Sequence, residues 1–349
     1  MLELTPTPLA NNFSDYPDEY AKRYPLQVQE CLECGHVQLR HMVKIDWVDY
    51  RYRTPDANRE HLADAADAIR TTFPMFKTAI EIGSNNGLYL EELKRVGFDA
   101  IGIDPNATVG IQAPFTNHLA HTLEPVDLIV ANNVFAHVDD LWDVFRGIDY
   151  LLKDDGALVF EVQYFPDMMA TGAFDMIYHE HRDYHTLKPL PRFLKRFGLV
   201  IECVEFLDTH GGSIRVWCSR PGIGIDVDDM DVDWRAFKHR IDDARRLLVA
   251  QLEEIGRPVV ALGATAKACT LIHHFGIADY IDYCVDSTPA KQGRYIPGTD
   301  IAIYHPDILN KDNDAAVLLT AWNFADVIVP QYPDKQFIIP FAHPVEVHA

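Results

Sequence analysis

The chain has 349 residues, more than one typical hydrophobic core accommodates, so two or three domains are expected. Its 52 acidic residues against 31 basic ones leave a formal net charge of −21. A field of that sign excludes a nonspecific nucleic-acid or anionic-membrane binder, although a few local cations still suffice for a small anionic ligand.

The N-terminal stretch MLELTPTPLANNFSDYPDEY lacks the basic-then-apolar pattern of a secretory signal. No apolar run approaches the roughly 18–20 residues of a membrane span. Cys203, Cys218, Cys269 and Cys284 stand apart in apolar runs and read as buried free thiols, which places the protein in a reducing cytoplasm.

Residues 1–58 read as a small module broken up by Pro6, Pro8, Pro17 and Pro25. Within it, YPLQVQECLECGHVQLRH has the look of a short hairpin around Cys31 and Cys34. Cys-x-x-Cys-Gly is half of a zinc knuckle, and a tetrahedral site needs four ligands. The sequence has no second Cys-x-x-Cys, so His36 and His41 are the candidates to complete a set. A metal-free knuckle or substoichiometric zinc is expected.

Residues 59–222 begin with REHLADAADAIRTTF, an amphipathic helix with Leu62, Ala65, Ala66, Ile69 and Phe73 on one face. Next comes TAIEIGSNNGLYLEELKRVG: a short apolar strand, a turn holding Gly83, Asn86 and Gly87, and a helix. Glycines let the backbone approach a ligand, and helix-start amides can meet its polar edge. The following strand, DAIGID, closes on Asp104, about 20 residues past Gly83, where such fingerprints place a ribose-binding acid. GxGxxG is absent; from Glu81 the pattern is E-x-G-x-x-x-G, the form that suits a ligand without a pyrophosphate. Further on, Asn132, Asn133 and His137 fall at a strand end and the turn after it, where open α/β sheets bind their ligands. This ordered set over residues 80–162 resembles a class I S-adenosylmethionine-dependent methyltransferase.

The densest chemistry lies in residues 174–185, FDMIYHEHRDYH. On a strand Tyr178 and Glu180 share a face; on a helix Tyr178 and His181 do. Either way a phenol, a carboxylate and an imidazole converge, the groups of general acid–base catalysis near neutral pH. A helix and two strands then finish the sheet, with His210, Gly211, Gly212 and Ser213 as a turn whose backbone can approach a substrate; Arg215 follows it. An acidic stretch, GIGIDVDDMDVDW, reads as a linker.

Residues 234–349 form a second alternating α/β unit entered by a helix over 234–255. Gly263, Ala264 and Lys267 sit where a strand hands over to a helix start; Asp286 closes a strand, Lys291 and Arg294 follow it, and Asn323 stands at another join. In so acidic a chain, those three cations at loop ends are candidate partners of a diphosphate.

Together PLANNF, DYRYRTPDANREH, EIGSNNG, ANNVFAHV, FDMIYHEHRDYHTL, HGGSIRVW, GATAK, VDSTPAKQGRYIPG and AWNFA resemble the nucleotide-sugar C-methyltransferases, including the C-3 methyltransferases of deoxysugar biosynthesis. The resemblance implies an N-terminal zinc module, a central Rossmann-like methyl-donor domain and a C-terminal Rossmann-like domain holding the sugar nucleotide. It implies S-adenosylmethionine as donor, S-adenosylhomocysteine as product and a nucleoside-diphosphate keto-sugar as acceptor, with no nucleic-acid or membrane partner. Its Tyr-x-Glu-His motif matches Tyr178, Glu180 and His181, with His181 as the base that takes a proton beside the ketone, oriented by Glu180. A tyrosine that steadies the enolate is matched best by Tyr52. The donor residues carried over are Glu81, Gly83, Asn86, Gly87, Asp104, Asn132, Asn133 and His137. On the acceptor side stand His210, Gly212, Arg215, Gly263, Lys267, Asp286, Lys291, Arg294 and Asn323. Thr54 and Thr265 stand where the family usually has serine and proline, and its first Cys-x-x-Cys has no counterpart, so a four-cysteine zinc site is not expected. A monomer is expected. O- or N-methylation of a related small molecule, and a noncatalytic binding protein, are the competing readings.

Overall fold

A computed structural model of the chain describes residues 1–45, 53–220, 222–227, 229–312 and 314–341. Tyr52 lies outside them.

Strands β1 (Leu2–Thr7), β2 (Tyr24–Glu30) and β3 (Val37–Leu39) form an antiparallel meander. Alternation sets its buried face: Leu2, Leu4, Leu26, Val28, Val37 and Leu39 all point inward. Cys31 and Cys34 occupy the β2–β3 turn, as the hairpin reading expects.

The central unit starts with α1 (Arg59–Thr72), which buries Leu62, Ala65, Ala66 and Ile69 as their spacing dictates. Then follow β4 (Thr78–Ile82), α2 (Leu88–Arg95), β5 (Asp99–Asp104), β6 (Ile111–Gln112), α3 (Asn117–Ala120), β7 (Val126–Asn132), α4 (Leu141–Leu151) and β8 (Leu152–Gln163). After α5 (Phe165–Thr171), β9 (Asp183–Tyr184) and α6 (Leu190–Leu194), the hairpin of β10 (Val200–Leu207) and β11 (Ser213–Ser219) completes the sheet. Its order is β10-β11-β8-β7-β4-β5-β6, with β11 antiparallel to both neighbours and β4 to β8 parallel. Strand order reverses between β4 and β7, which opens a crevice at their carboxyl ends. Short β9 leaves this unit and pairs with β3, so the segment between α5 and α6 is stitched to the N-terminal sheet.

The third unit opens with α7 (Trp234–Ile255), capped by Asp233, whose side chain accepts from Arg235 N and Ala236 N. Next come β12 (Val259–Leu262), α8 (Ala266–Phe275), β13 (Tyr283–Val285), β14 (Ile303–Tyr304), β15 (Ala316–Leu319), α9 (Ala325–Ile328) and β16 (Phe337–Ile338). The five strands are parallel, in the order β14-β13-β12-β15-β16. Thr265 caps α8 by accepting from Ala268 N at 3.2 Å.

One hydrophobic core joins all three units: Leu26 and Val28 of β2, Phe165 of α5, Phe174 and Ile177, Phe237 of α7, and Leu271 and Phe275 of α8. The loop richest in chemistry is therefore seated in the common core. Among the described residues, no helix is long and apolar enough to cross a membrane.

Candidate active site

At the carboxyl end of β4 the chain turns through Gly83, whose φ is +78°. A Cβ there would lie 2.1 Å from Val134 Cγ2, so only glycine fits. Asp104, ending β5, faces this turn: its Oδ2 accepts from Asn85 N at 3.1 Å and its Oδ1 from Asn106 N at 2.6 Å. Gly87 caps α2 with a φ of +85°, and Asn86 Nδ2 donates to Thr54 O. Burial, reinforced by the charge of Asp104, pushes the Glu81 carboxyl up to about 8.

Four buried polar atoms around this turn have no hydrogen-bond partner among the described residues: Glu81 Oε2, Ser84 Oγ, Asn86 Oδ1 and Asn132 Nδ2. Native proteins rarely leave such atoms unsatisfied except where a ligand or water meets them. The set fits the methyl donor expected from the sequence, which brings amine, carboxylate and ribose groups. Asn133, at φ +54°, spends its amide on Glu161 O at 2.7 Å and so pins β7 to β8. His137 links this region to the acid–base loop: its Nδ1 donates to Glu180 O at 2.8 Å and its ring centroid lies 4.7 Å from that of His181.

Residues 178–181 are neither strand nor helix. A 3-10 turn, Phe174–Met176, leads into an irregular turn before β9. Even so, Tyr178 and His181 meet: the Tyr178 hydroxyl lies 2.6 Å from His181 Nε2, and His181 Nδ1 lies 2.9 Å from Met176 O. A carbonyl only accepts, so Nδ1 carries the proton and Nε2 accepts from the Tyr178 hydroxyl. Burial, followed by the charges of His137, His210 and Lys267, holds the imidazole well below its usual pKa. A neutral imidazole with its basic nitrogen on a phenol is what a general base requires.

The expected orientation of His181 by Glu180 is not what the structure contains. Glu180 Oε1 accepts from Asn11 N at 3.3 Å and Asn11 Nδ2 at 3.0 Å, and Oε2 has no partner among the described residues. Adjacent side chains in a turn diverge, so Glu180 faces the PLANN loop while Met176 O and Tyr178 orient His181. Burial raises the Glu180 carboxyl.

From the C-terminal unit, Lys267 Nζ donates to Asn323 Oδ1 and sits 4.6 Å over the Trp322 ring. Burial draws Lys267 down to about 8, while nearby Asp175 pulls the other way. His210, held at φ +55°, packs edge-on against Phe324. Beside it, a Cβ on Gly211 would lie 2.6 Å from Trp322 Cη2, and one on Gly212 2.3 Å from Asp167 Cβ. The β10–β11 hairpin is thus pressed against Trp322 and α5 by two glycines. Lys291 Nζ donates to Ala264 O at 2.8 Å and pairs with Asp286 at 3.2 Å, alongside the Gly263 turn. Arg294 is turned elsewhere, toward Phe13 O and Asp15 of the N-terminal module.

Sequence reasoning missed Glu161 and His61. Glu161 lies near the end of β8 with its side chain 1% exposed, and accepts from His61 Nε2 at 2.8 Å, Arg215 Nη2 at 3.1 Å and Thr209 Oγ1 at 3.2 Å. Burial opposes its ionisation, yet the His61 hydrogen bond and the charges of His61, Arg215 and His210 hold its pKa below the usual value. Arg215, expected to meet substrate, is engaged by Glu161 and Glu205. The one available signal was position: Glu161 sits opposite Asn132 in the neighbouring strand.

His36 and His41 do not turn to the cysteines. His36 Nε2 is 2.6 Å from Asp183 Oδ1, and His41 Nε2 is 3.1 Å from Gln27 Oε1. Among the described residues, no group of three or more His, Cys, Asp or Glu side chains is placed to hold a metal ion.

Two family models match the chain: a methyltransferase domain over residues 50–204, and a C-methyltransferase C-terminal domain over residues 224–340. The chain is similar to C-methyltransferase NovU of Streptomyces niveus, with 28% identity over 389 aligned positions that span 98% of this chain and 93% of that protein. Among solved structures it is similar to an O-methyltransferase family protein from Burkholderia thailandensis (15% identity, TM-score 0.36, 47% of this chain and 57% of that one). It is also similar to magnesium protoporphyrin IX methyltransferase from Synechocystis PCC 6803 (14% identity, TM-score 0.37, 52% and 90%).

Proposed function

We propose, for a chain that belongs to the S-adenosylmethionine-dependent C-methyltransferases, that the acceptor is a nucleoside-diphosphate keto-sugar methylated at the carbon beside its ketone. The observation that carries this reading is the buried Tyr178–His181 pair, which holds a neutral imidazole with Nε2 as its basic atom. Methylation of oxygen or nitrogen is set aside by the family. Carbon, unlike them, must first be made nucleophilic by losing a proton.

Glu81, Ser84, Asn86, Asp104 and Asn132 are the residues that would hold S-adenosylmethionine, and bound there it supplies an electrophilic methyl group. A ketone acidifies the C–H next to it. His181 Nε2 takes that proton and becomes imidazolium, its Nδ1–H staying on Met176 O. The electron pair of the broken C–H bond passes into an enolate, and the Tyr178 hydroxyl, released from Nε2, donates to the enolate oxygen. With the donor in place, the enolate carbon would take up its methyl group in a new C–C bond as the methyl–sulfur bond breaks to a thioether, and the ketone would be restored. A positioned base of this kind accounts for about 10²–10⁴-fold in rate.

On the acceptor side, Lys267, Asn323 and the Gly263 turn form a cationic, desolvated corner beside His210. There a diphosphate would displace Asn323 from Lys267, gaining the stronger, charge-assisted hydrogen bonds. Lys291 is the second cation at the same turn. Free thiols at all six cysteines agree with a cytoplasmic enzyme of nucleotide-sugar metabolism. The test is a mass-spectrometric screen of keto-sugar nucleotides for the gain of one methyl, coupled to loss of deuterium or hydrogen at the carbon beside the ketone in exchange with solvent. Methyl gain on the ring carbon supports the reading; transfer confined to non-sugar acceptors overturns it.

A further inference from the structure

The acid–base loop is held in place almost residue by residue from the C-terminal unit. Phe174 packs at a tilt against Phe275 of α8, with ring centroids 4.7 Å apart. Asp175, wholly buried, accepts at Oδ2 from Trp322 Nε1 at 2.8 Å. Ile177 O accepts from Thr270 Oγ1 of α8 at 2.8 Å. Between these anchors stands Met176, whose carbonyl accepts from His181 Nδ1 and so fixes both the tautomer and the tilt of the imidazole.

We infer that Trp322 and Asp175 are positioning residues for His181, acting through the Met176 carbonyl, so that the C-terminal unit sets the geometry of proton removal. The inference rests on the reading of His181 as the base. A buried carboxyl with one oxygen unpartnered is a costly way to fill space, and apolar packing would serve stability as well or better. What the carboxyl adds is direction: it ties one backbone segment to one indole N–H. The same indole carries Lys267 over its face and Gly211 against its edge. An acceptor whose diphosphate engages Lys267 and Asn323 therefore presses on the residue that aligns the base. Binding of the acceptor and alignment of His181 are coupled through one side chain.

The experiment measures solvent exchange at the carbon beside the ketone, with a keto-sugar nucleotide and S-adenosylhomocysteine in D₂O, so that methyl transfer is absent. Donor-site integrity is read in parallel by titration with S-adenosylhomocysteine. Trp322→Phe keeps the ring and removes the N–H; Asp175→Leu removes the acceptor; Asp175→Asn keeps an oxygen for the indole. Exchange is expected to fall about 10- to 100-fold in Trp322→Phe and Asp175→Leu, the size of effect an ångström-scale misplacement produces. Asp175→Asn stays within about threefold of wild type, and donor affinity within about twofold in all three. If Trp322→Phe does not fold, the two Asp175 variants carry the comparison. Exchange at the wild-type rate in the folded variants overturns the inference, as does donor affinity falling in step with exchange. Absence of exchange from the wild-type enzyme overturns the assignment of the base and the inference with it.

Discussion

Tyr178 and His181 face each other across 2.6 Å in a loop where both side chains are under a tenth exposed. Because burial and neighbouring cations keep the imidazole pKa well below 6.5, His181 remains a deprotonated base when the pH falls through the ordinary histidine range. The exchange rate is therefore expected to hold its plateau from pH 8 to below 6.5 and to decline only at more acid pH. A half-point at or above 6.5 in the measured profile would contradict this assignment. His181→Asn is expected to abolish exchange, and Tyr178→Phe to lower it about 10²–10³-fold through loss of the enolate donor.

Much of this site was legible because its parts are local in sequence. The Gly83 turn, the acid closing β5 and the asparagines at the end of β7 each follow from strand–turn–helix patterning. Tyr178 and His181 could be paired because three residues separate them. The partners that decide geometry were not legible. Trp322 meets Asp175 across 147 positions, between two units, and His61 meets Glu161 across 100 within the central one, separations that only tertiary packing closes. Glu180 is the instructive error. Its neighbour in sequence was taken as its neighbour in space, whereas the turn folds His181 back onto Met176 O and Tyr178 and sends Glu180 to the N-terminal loop.

The donor crevice makes a separable prediction. Asp104→Ala removes a carboxylate that orders the Gly83 turn through Asn85 N and, on this reading, holds ribose hydroxyls. Hydrogen bonds to a charged group contribute about 1.5–3 kcal/mol. Calorimetric titration should show S-adenosylhomocysteine binding weakened by at least tenfold, with the fold intact by circular dichroism. Unchanged affinity would move the donor away from this turn.

Glu180 and Asn11 form a bidentate contact between the acid–base loop and the N-terminal module, so their contributions should not add. In a double-mutant cycle, Glu180→Ala and Asn11→Ala are each expected to slow turnover, and the double variant to be little worse than the poorer single one. Glu180→Gln keeps an oxygen for Asn11 and should retain more activity than Glu180→Ala. Independent, additive losses would show that Glu180 acts on something other than the N-terminal loop.

Buried His185 gives a prediction for stability alone. Burial, with the charge of His36 adding and that of Asp183 opposing, takes its pKa from 6.5 to about 4, and the residue is 5% exposed. Between those two values the unfolded chain binds a proton that the folded protein refuses. Stability from this group is thus fully present above pH 6.5 and is lost as the pH falls toward 4. The gap corresponds to about 3 kcal/mol at most. His185→Gln has no such titration, so the stability advantage of wild type over this variant should shrink by up to that amount between pH 7 and pH 4. Urea unfolding of both proteins across this range measures it, and parallel curves would mean that the imidazole is already charged in the folded state.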